Sequence, residues 1–342
     1  MEEHQNHLSL GCQLCQQGKW LCIFLTYKCN AGCSFCPAPC NDDRIVSSFG
    51  NKKEEILSYL KDSEFKGLSF SGGDPFLVYD RLLEWLIYFR KHLPDFYIWV
   101  YTSGLEVSVD KMKELVANGM NEIRFNIAAT GYLNDRIWEV ISAAGKLFPH
   151  VSIEIPSIER DFRLAEKALE RMNENGVRFL NLHDLILNDE TAENVNGTPF
   201  LLNKVIPLIY DRTSIGNTER IIDLARQRNY GFIINHCSMN RKEHQMLQRR
   251  RMMGKVFNNP DYDMELGDAT ICNFYYIKEK LPLPELKRRF ADADYRRTLN
   301  KSLLKINDPE ISNHTGGTII IVHYVPQMSI DQEKIYMGIE LY

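Results

Sequence analysis

Along the first half of this chain, short apolar runs alternate with stretches whose apolar residues recur every three to four positions. Residues 19–26 (Lys-Trp-Leu-Cys-Ile-Phe-Leu-Thr) read as a buried strand, and 68–71 as a second one that runs into a glycine pair. From 79 to 92, Leu82, Leu83, Leu86 and Ile87 fall on one helical face, and 96–102 is the next strand, closing at Ser103 and Gly104. Met112, Leu115 and Val116 mark a helix that Gly119 stops, ahead of strand 122–128. Ile137, Val140, Ile141 and Ala144 give another helix before strand 150–155. Leu164, Ala165, Ala168, Leu169 and Met172 give one more, ending near Gly176 before strand 178–182. A period of 3.6 alternating with short apolar runs argues for parallel βα units. Right-handed crossovers close such units into a barrel or part of one.

Six strands are counted from Trp20 to Leu182. Beyond them, 189–207 is polar and loop-like, 218–228 looks helical and 230–236 looks like a seventh strand. Leu281-Pro282-Leu283-Pro284 is a breaker, followed by a charged helix through Arg297, and 318–325 is the last clear strand. The expected division is an N-terminal segment 1–17, a barrel core 18–185, and an extension 186–342 that completes the barrel and covers its substrate side.

Composition narrows the class. At 342 residues with 44% hydrophobic content the chain can bury a large core, and its net charge of −4 advertises no general affinity for nucleic acid. No apolar stretch reaches the roughly 18 residues of a membrane span, and the first residues lack a signal-peptide pattern, so a cytoplasmic protein is expected. Nine cysteines, seven of them between Cys12 and Cys40, then suggest metal rather than disulfides.

Cys29, Cys33 and Cys36, in Lys-Cys-Asn-Ala-Gly-Cys-Ser-Phe-Cys-Pro, follow the first strand. Four cysteines normally close an iron-sulfur cube, so three at this spacing leave one iron open to another ligand. The 3-then-2 gap does not fit the separated pairs of a zinc knuckle. This run resembles the signature of the radical S-adenosylmethionine (SAM) superfamily. The resemblance implies a partial (β/α)6 TIM-like barrel, and a 4Fe-4S cluster whose open iron is chelated by SAM. It also implies reductive cleavage of SAM to a 5'-deoxyadenosyl radical, with a reductant such as flavodoxin or ferredoxin as partner. Phe35, between two cluster ligands, is expected to cover the sulfides and bring its backbone near the adenine.

Ser71-Gly72-Gly73-Asp74-Pro75 supports this, because a glycine pair lets the backbone approach a ligand closely. It resembles the family's Gly-Gly-Glu-Pro element, with Asp74 in the acid position, whose backbone receives the amino end of SAM. By analogy with the superfamily, polar groups at later strand ends hold the ribose and carboxylate, with Ser103, Asn126 and Glu154 as candidates in that order. His183, Asp184 and His236 are the candidates for lining the substrate.

Cys12 and Cys15, in Gly-Cys-Gln-Leu-Cys-Gln-Gln-Gly, read as half of a metal knuckle. Cys237, with His236 beside it, is the candidate for the other half, and Cys272 ranks after them. Zinc is the first expectation for such a second site and an auxiliary iron-sulfur cluster the second. The knuckle together with the His-Cys-Ser segment resembles, more softly, a group of iron-sulfur oxidoreductases related to pyruvate formate-lyase activating enzyme. Cys22 and Cys40 read as ordinary free cysteines. Arg249, Arg250 and Arg251, then Lys287, Arg288, Arg289, Arg296 and Arg297, form basic patches that either face solvent or dock RNA or an acidic peptide. Two functions follow. One is a radical SAM enzyme taking hydrogen from an unidentified peptide, nucleoside or small molecule. The other is a non-catalytic zinc or iron-sulfur module for interaction with RNA or peptides.

Overall fold

The computed structural model describes residues 7–36, 52–202, 206, 208–277, 282–290, 303–306, 318–328 and 334–341. The chain divides into two compact units, Met1–Met246 and Leu247–Tyr342. The first begins with a helix, α1 (Leu10–Gln16), and strands β1 (Trp20–Thr26), β2 (Gly67–Gly72), β3 (Tyr97–Thr102), β4 (Glu122–Phe125), β5 (His150–Pro156) and β6 (Phe179–His183). A hairpin, β7 (Pro199–Leu202) with β8 (Leu208–Asp211), precedes β9 (Ile233–Cys237). The sheet runs β1-β2-β3-β4-β5-β6-β9, every neighbouring pair parallel. The seventh strand expected near 230–236 is thus real. By pairing with β6 it joins the sheet of the first unit, which extends to Met246.

Between the strands lie α2 (Lys53–Asp62), α3 (Tyr79–His92), α4 (Val109–Ala117), α5 (Asp135–Leu147), α6 (Phe162–Glu174), α7 (Asp189–Val195), α8 (Arg212–Gln227) and α9 (Met239–Phe257). The 3.6-residue repeat sets the buried faces: Leu82, Trp85, Leu86 and Phe89 of α3, and Ala165, Ala168, Leu169 and Met172 of α6. Ile87 and Leu164, expected on those faces, stand at their edges and are exposed. The polar stretch expected as loop holds α7, started by a capping box between Asn188 and Thr191, and the β7–β8 hairpin.

Alternation along each strand divides the sheet into two faces. Leu68, Phe70, Ile98, Val100, Ile123, Phe125, Ile153, Leu180 and Leu182 alternate with a second series and are fully or nearly fully buried. That second series is largely polar: Ser69, Glu122, Arg124, Ser152, Glu154, Asn181 and Asn235. On this face sits α1, whose Leu14 packs with Tyr97 and Trp99. The N-terminal Cys-x-x-Cys is therefore a helix and not a knuckle, capped by Ser9, which accepts from the Cys12 amide. Helix and strand approach so closely that a Cβ on Gly11 would lie 2.4 Å from Arg124 Nη2.

The second unit holds an antiparallel sheet of β10 (Met264–Glu265), β11 (Ile271–Ile277), β12 (Leu303–Leu304), β13 (Thr318–Met328) and β14 (Lys334–Leu341), with α10 (Leu283–Phe290). Ile271, Tyr275, Leu286, Ile320, Val322 and Tyr324 form its core. The strand expected at 318–325 continues to Met328, and β14 follows it. Of the basic patches, Arg250 is buried and ion-paired with Asp268 at 3.2 Å, while Arg288 and Arg289 both reach Glu285. Those cations are answered within the unit. Arg296 and Arg297 lie outside the described residues. No helix among the described residues is long and apolar enough to cross a membrane.

Candidate active site

Two consecutive strand ends build the first part of the site. β1 runs out into the loop carrying Cys29, Cys33 and Cys36, and β2 ends at Gly72. The Gly73 amide donates to the Thr26 carbonyl at 2.7 Å and the Asp74 amide to the Lys28 carbonyl at 2.9 Å. Contact is so close that a Cβ on Gly72 would sit 2.0 Å from the Thr26 oxygen, and one on Gly73 2.0 Å from the Lys28 oxygen. Gly72 also has φ +115°, which side chains rarely adopt. The glycine pair is thus required by the cysteine loop itself, a reason beyond the ligand approach expected from the motif.

Asp74 does not face an open cleft. Its buried carboxylate accepts from the Phe76 amide, Thr102 Oγ1, the Ser103 amide at 2.9 Å and Ser103 Oγ at 2.6 Å. It ties the ends of β2 and β3 together, and the Ser103 hydroxyl expected for SAM is spent on it. Asn126 follows β4 and caps the turn Ile127–Thr130 by accepting from the Ala129 amide at 3.3 Å.

The cysteine loop is held from further sides. Asn30 donates to Glu106 beyond β3 at 2.7 Å. Arg160, beyond β5, donates to Ser34 Oγ at 2.8 Å and to the Asn194 carbonyl at 3.0 Å. Phe35 packs against Ile158, Leu185, Leu187 and Val195. These contacts draw the loop across the C-terminal strand ends, where barrel enzymes keep their chemistry. Arg160 carried no motif and was not anticipated.

Burial holds the Cys29 thiol above its ordinary pKa; the Ala31 amide lowers it, while Asp74 and Cys36 raise it. Among the described residues no group of three or more His, Cys, Asp or Glu side chains is gathered tightly enough to hold a single metal ion. A cubane asks for a different spacing, because each thiolate takes a different iron and the sulfurs stand farther apart than the ligands of one ion. Three thiols on one strand-end loop, braced by a glycine turn, fit that donor set. Cys40 lies outside the described residues.

Deeper in the same face lies a charged cluster. Arg124 pairs with Glu122 and Glu154, each at 2.9 Å, all three buried, and its guanidinium stacks 4.9 Å from the Trp99 ring centroid. Burial works against the charge on Arg124, but the anionic groups around it, Glu122 and Glu154 among them, raise its pKa. Glu154 also accepts from Asn181 at 2.7 Å and from His183. Burial raises Glu154, yet His183 and Arg124 outweigh it and leave the carboxyl below its ordinary value. The residue expected to hold SAM is thus committed to an internal ion network. Charged residues at alternate positions of an otherwise apolar strand, Glu122 and Arg124, were the signal for this inner face.

His183 and Asp184 turn to opposite faces, as successive strand residues must. His183 stands opposite Cys237 in the register and hydrogen-bonds both Cys237 and Glu154. Burial opposes its protonation, but Cys237 and Glu154 prevail and raise its pKa to about 9. Asp184 is buried against α8, accepting from Thr218 Oγ1, from His236 Nε2 at 2.8 Å and from the Met239 amide at the start of α9 at 3.0 Å. Of the three expected lining residues, only His183 therefore shares the inner face. Asp184 and His236 form a structural pair behind the sheet.

The second metal site is not shown among the described residues. Cys12 Sγ donates to Asn181 Oδ1 at 3.2 Å, Cys237 Sγ accepts from Asn235 Nδ2 at 3.2 Å, and His236 is turned away to Asp184. Cys12, Cys15 and Cys237 share one neighbourhood as thiols without converging as the ligands of an ion.

The Radical SAM superfamily model matches residues 23–137, the segment that contains the cysteine loop and the glycine turn. That stretch of the chain is similar to a radical SAM domain. With it, the reading as a non-catalytic binding module gives way to that of an enzyme. A Methanocaldococcus jannaschii protein named as a glycyl-radical enzyme activating enzyme is 23% identical over 272 residues, 75% of this chain and 70% of that one. A GTP 3',8-cyclase of Clostridium perfringens is 31% identical over 125 residues, 35% of this chain and 37% of the relative. Among solved structures, Streptococcus suis SuiB bound to its precursor peptide SuiA matches with TM-score 0.50 and 14% identity, over 68% of this chain and 50% of that chain. That likeness shows the fold alone. The chain spans about half the length of the solved structure it matches.

Proposed function

We propose that the chain is a radical SAM enzyme whose Cys29, Cys33 and Cys36 hold a site-differentiated 4Fe-4S cluster and which removes a hydrogen atom from its substrate. The observation that carries this is the pair of backbone bonds joining the cysteine loop to the glycine turn, Gly73 to Thr26 and Asp74 to Lys28. They set a three-thiol loop and a bare backbone turn side by side, which supports a cluster with a SAM-receiving turn next to it. When bound, the cluster supplies the electron for reductive cleavage of SAM to a 5'-deoxyadenosyl radical.

The chain's own residues bind, orient and exclude water. An ammonium group needs acceptors, and the amides of Gly73 and Asp74 are already donated to the loop. The carbonyl oxygens of the turn are therefore the groups that would receive the amino end of SAM. Asn126 stands at the next strand end but one, within the set that would meet the ribose or carboxylate. Asp74, Ser103 and Glu154 act at one remove, Asp74 and Ser103 by fixing the ends of β2 and β3 and Glu154 by anchoring His183. Phe35 with Ile158, Leu185, Leu187 and Val195 forms an apolar wall beside the loop, which keeps water from a reactive alkyl radical.

The name of the Methanocaldococcus relative supports a glycine-bearing segment of a partner protein as substrate, and the reductant would be a flavodoxin or ferredoxin. Anaerobic reconstitution with iron and sulfide, followed by SAM and dithionite, tests the reading. 5'-Deoxyadenosine should form in the wild type and be lost in Cys33→Ala. Equal formation in both would refute it.

A further inference from the structure

Among the thiols that the radical reading does not use, Cys12, Cys15 and Cys237 share one neighbourhood. Cys237 ends β9 at the C-terminal side of the sheet, half-buried, with the His183 imidazole against it and Glu154 behind that. Cys15 and Cys12 face it from α1. Gln16, next to Cys15, donates to Asn235 Oδ1 at 3.2 Å, while Asn235 Nδ2 reaches Cys237 Sγ at 3.2 Å and Asn181 Oδ1 at 2.9 Å. Cys12 closes the ring by donating to the same Asn181 oxygen. The last turn of α1 and the end of β9 are thereby fixed to one another through side chains on both sides of the Cys15 and Cys237 thiols.

The thiols are not equivalent. Burial pushes Cys12 up to about 12 and its proton is committed to Asn181, so it is the least nucleophilic. Cys15 is raised first by burial and next by the charge of Cys237, which acts on it more strongly than that of Cys12. Cys237 alone has an imidazole in contact and stands at the strand end that the barrel mouth exposes.

We propose that Cys237 and Cys15 form a redox-active dithiol that reduces a disulfide, with Cys237 the attacking thiolate, Cys15 the resolving thiol and His183 the positioning residue. The Cys237 thiolate attacks one sulfur of the disulfide; a new S–S bond forms, the old one breaks, and the other half leaves as a thiolate that takes up a proton. Cys15, its proton passed to solvent, then attacks Cys237 Sγ and expels the second half as thiolate. The substrate gains two electrons and two protons, and the dithiol becomes a Cys15–Cys237 disulfide.

Oxidised glutathione serves as the probe, applied to the reconstituted protein so that iron shields Cys29, Cys33 and Cys36. After alkylation of the remaining thiols, peptide mapping should find a Cys15–Cys237 disulfide that dithiothreitol reverses. Cys15→Ser should instead retain glutathione on Cys237, and Cys237→Ser should form neither product. His183→Gln should slow capture of glutathione by Cys237 about tenfold, in keeping with loss of a cationic neighbour, whereas a merely structural role would leave that rate unchanged. A wild type in which Cys237 is fully alkylated after oxidation, or in which the disulfide joins Cys12 to Cys15, overturns the proposal. The wild-type map decides the matter even should a variant fail to fold.

Discussion

Around the cysteine loop the decisive contacts are made by backbone, while across the inner faces of β4, β5, β6 and β9 they are made by side chains. In the first region Gly72 and Gly73 have no atoms to spare, and carbonyls of Thr26 and Lys28 take their place. In the second, Glu122, Arg124, Glu154 and His183 answer one another across strands, each charge buried only because its neighbour is there. A backbone-built site tolerates no added atom, whereas a side-chain network tolerates isosteric change but not the loss of one member.

The largest expected effect is therefore at Gly73. Gly73→Val must move the Lys28 carbonyl, and with it Cys29, so the variant should lose both its iron and SAM cleavage after reconstitution. Iron content equal to wild type would show that the two strand ends are not one rigid unit. Next comes Arg124→Met, which removes the cation that two buried carboxylates share and should lower stability by about 3–5 kcal/mol in urea titration while iron binding survives in the folded fraction. A loss under about 1 kcal/mol would mean that the cluster is not a buried one. Asp74→Asn is milder: it exchanges one acceptor oxygen for a donor facing Ser103 and Thr102, at a cost of about 1–3 kcal/mol. No change in the unfolding midpoint would separate Asp74 from the bracing of β2 and β3.

The smallest effect is one of pH. His183 binds its proton more tightly folded than unfolded, with its pKa raised from 6.5 to about 9. Its stabilisation is complete below 6.5 and is lost as pH rises through about 9. The urea midpoint of the wild type should fall over that window, and that of His183→Gln should fall less. Parallel curves would remove His183 from the ion network.

The same contrast explains what could be read in advance. Cys29, Cys33, Cys36, Gly72 and Gly73 are neighbours in sequence, so the rim was legible as motifs, and the alternating apolar periods located six strands and their helices. The ion network of Arg124 was not legible. Its partners lie 2 and 30 residues away, and only the parallel register of β4 and β5 brings them together. Glu154 misled for the same reason: a polar residue near a strand end reads as a ligand contact until its inward neighbours are known. Asp184 and His236 sit beside inward residues in sequence, and the strand's alternation turns them to the other face. Cys12 and Cys15 have the spacing of a knuckle and equally that of one helical turn, and Ser9 decides for the helix.

The central claim is that three cysteines and no fourth hold a cluster open to SAM. Its most direct test is electron paramagnetic resonance of the reconstituted, reduced protein with and without SAM. One cluster signal per chain, altered by SAM, absent in Cys29→Ala and unchanged in Cys40→Ala, is the predicted result. A signal indifferent to SAM, or a cluster lost in Cys40→Ala, would contradict it.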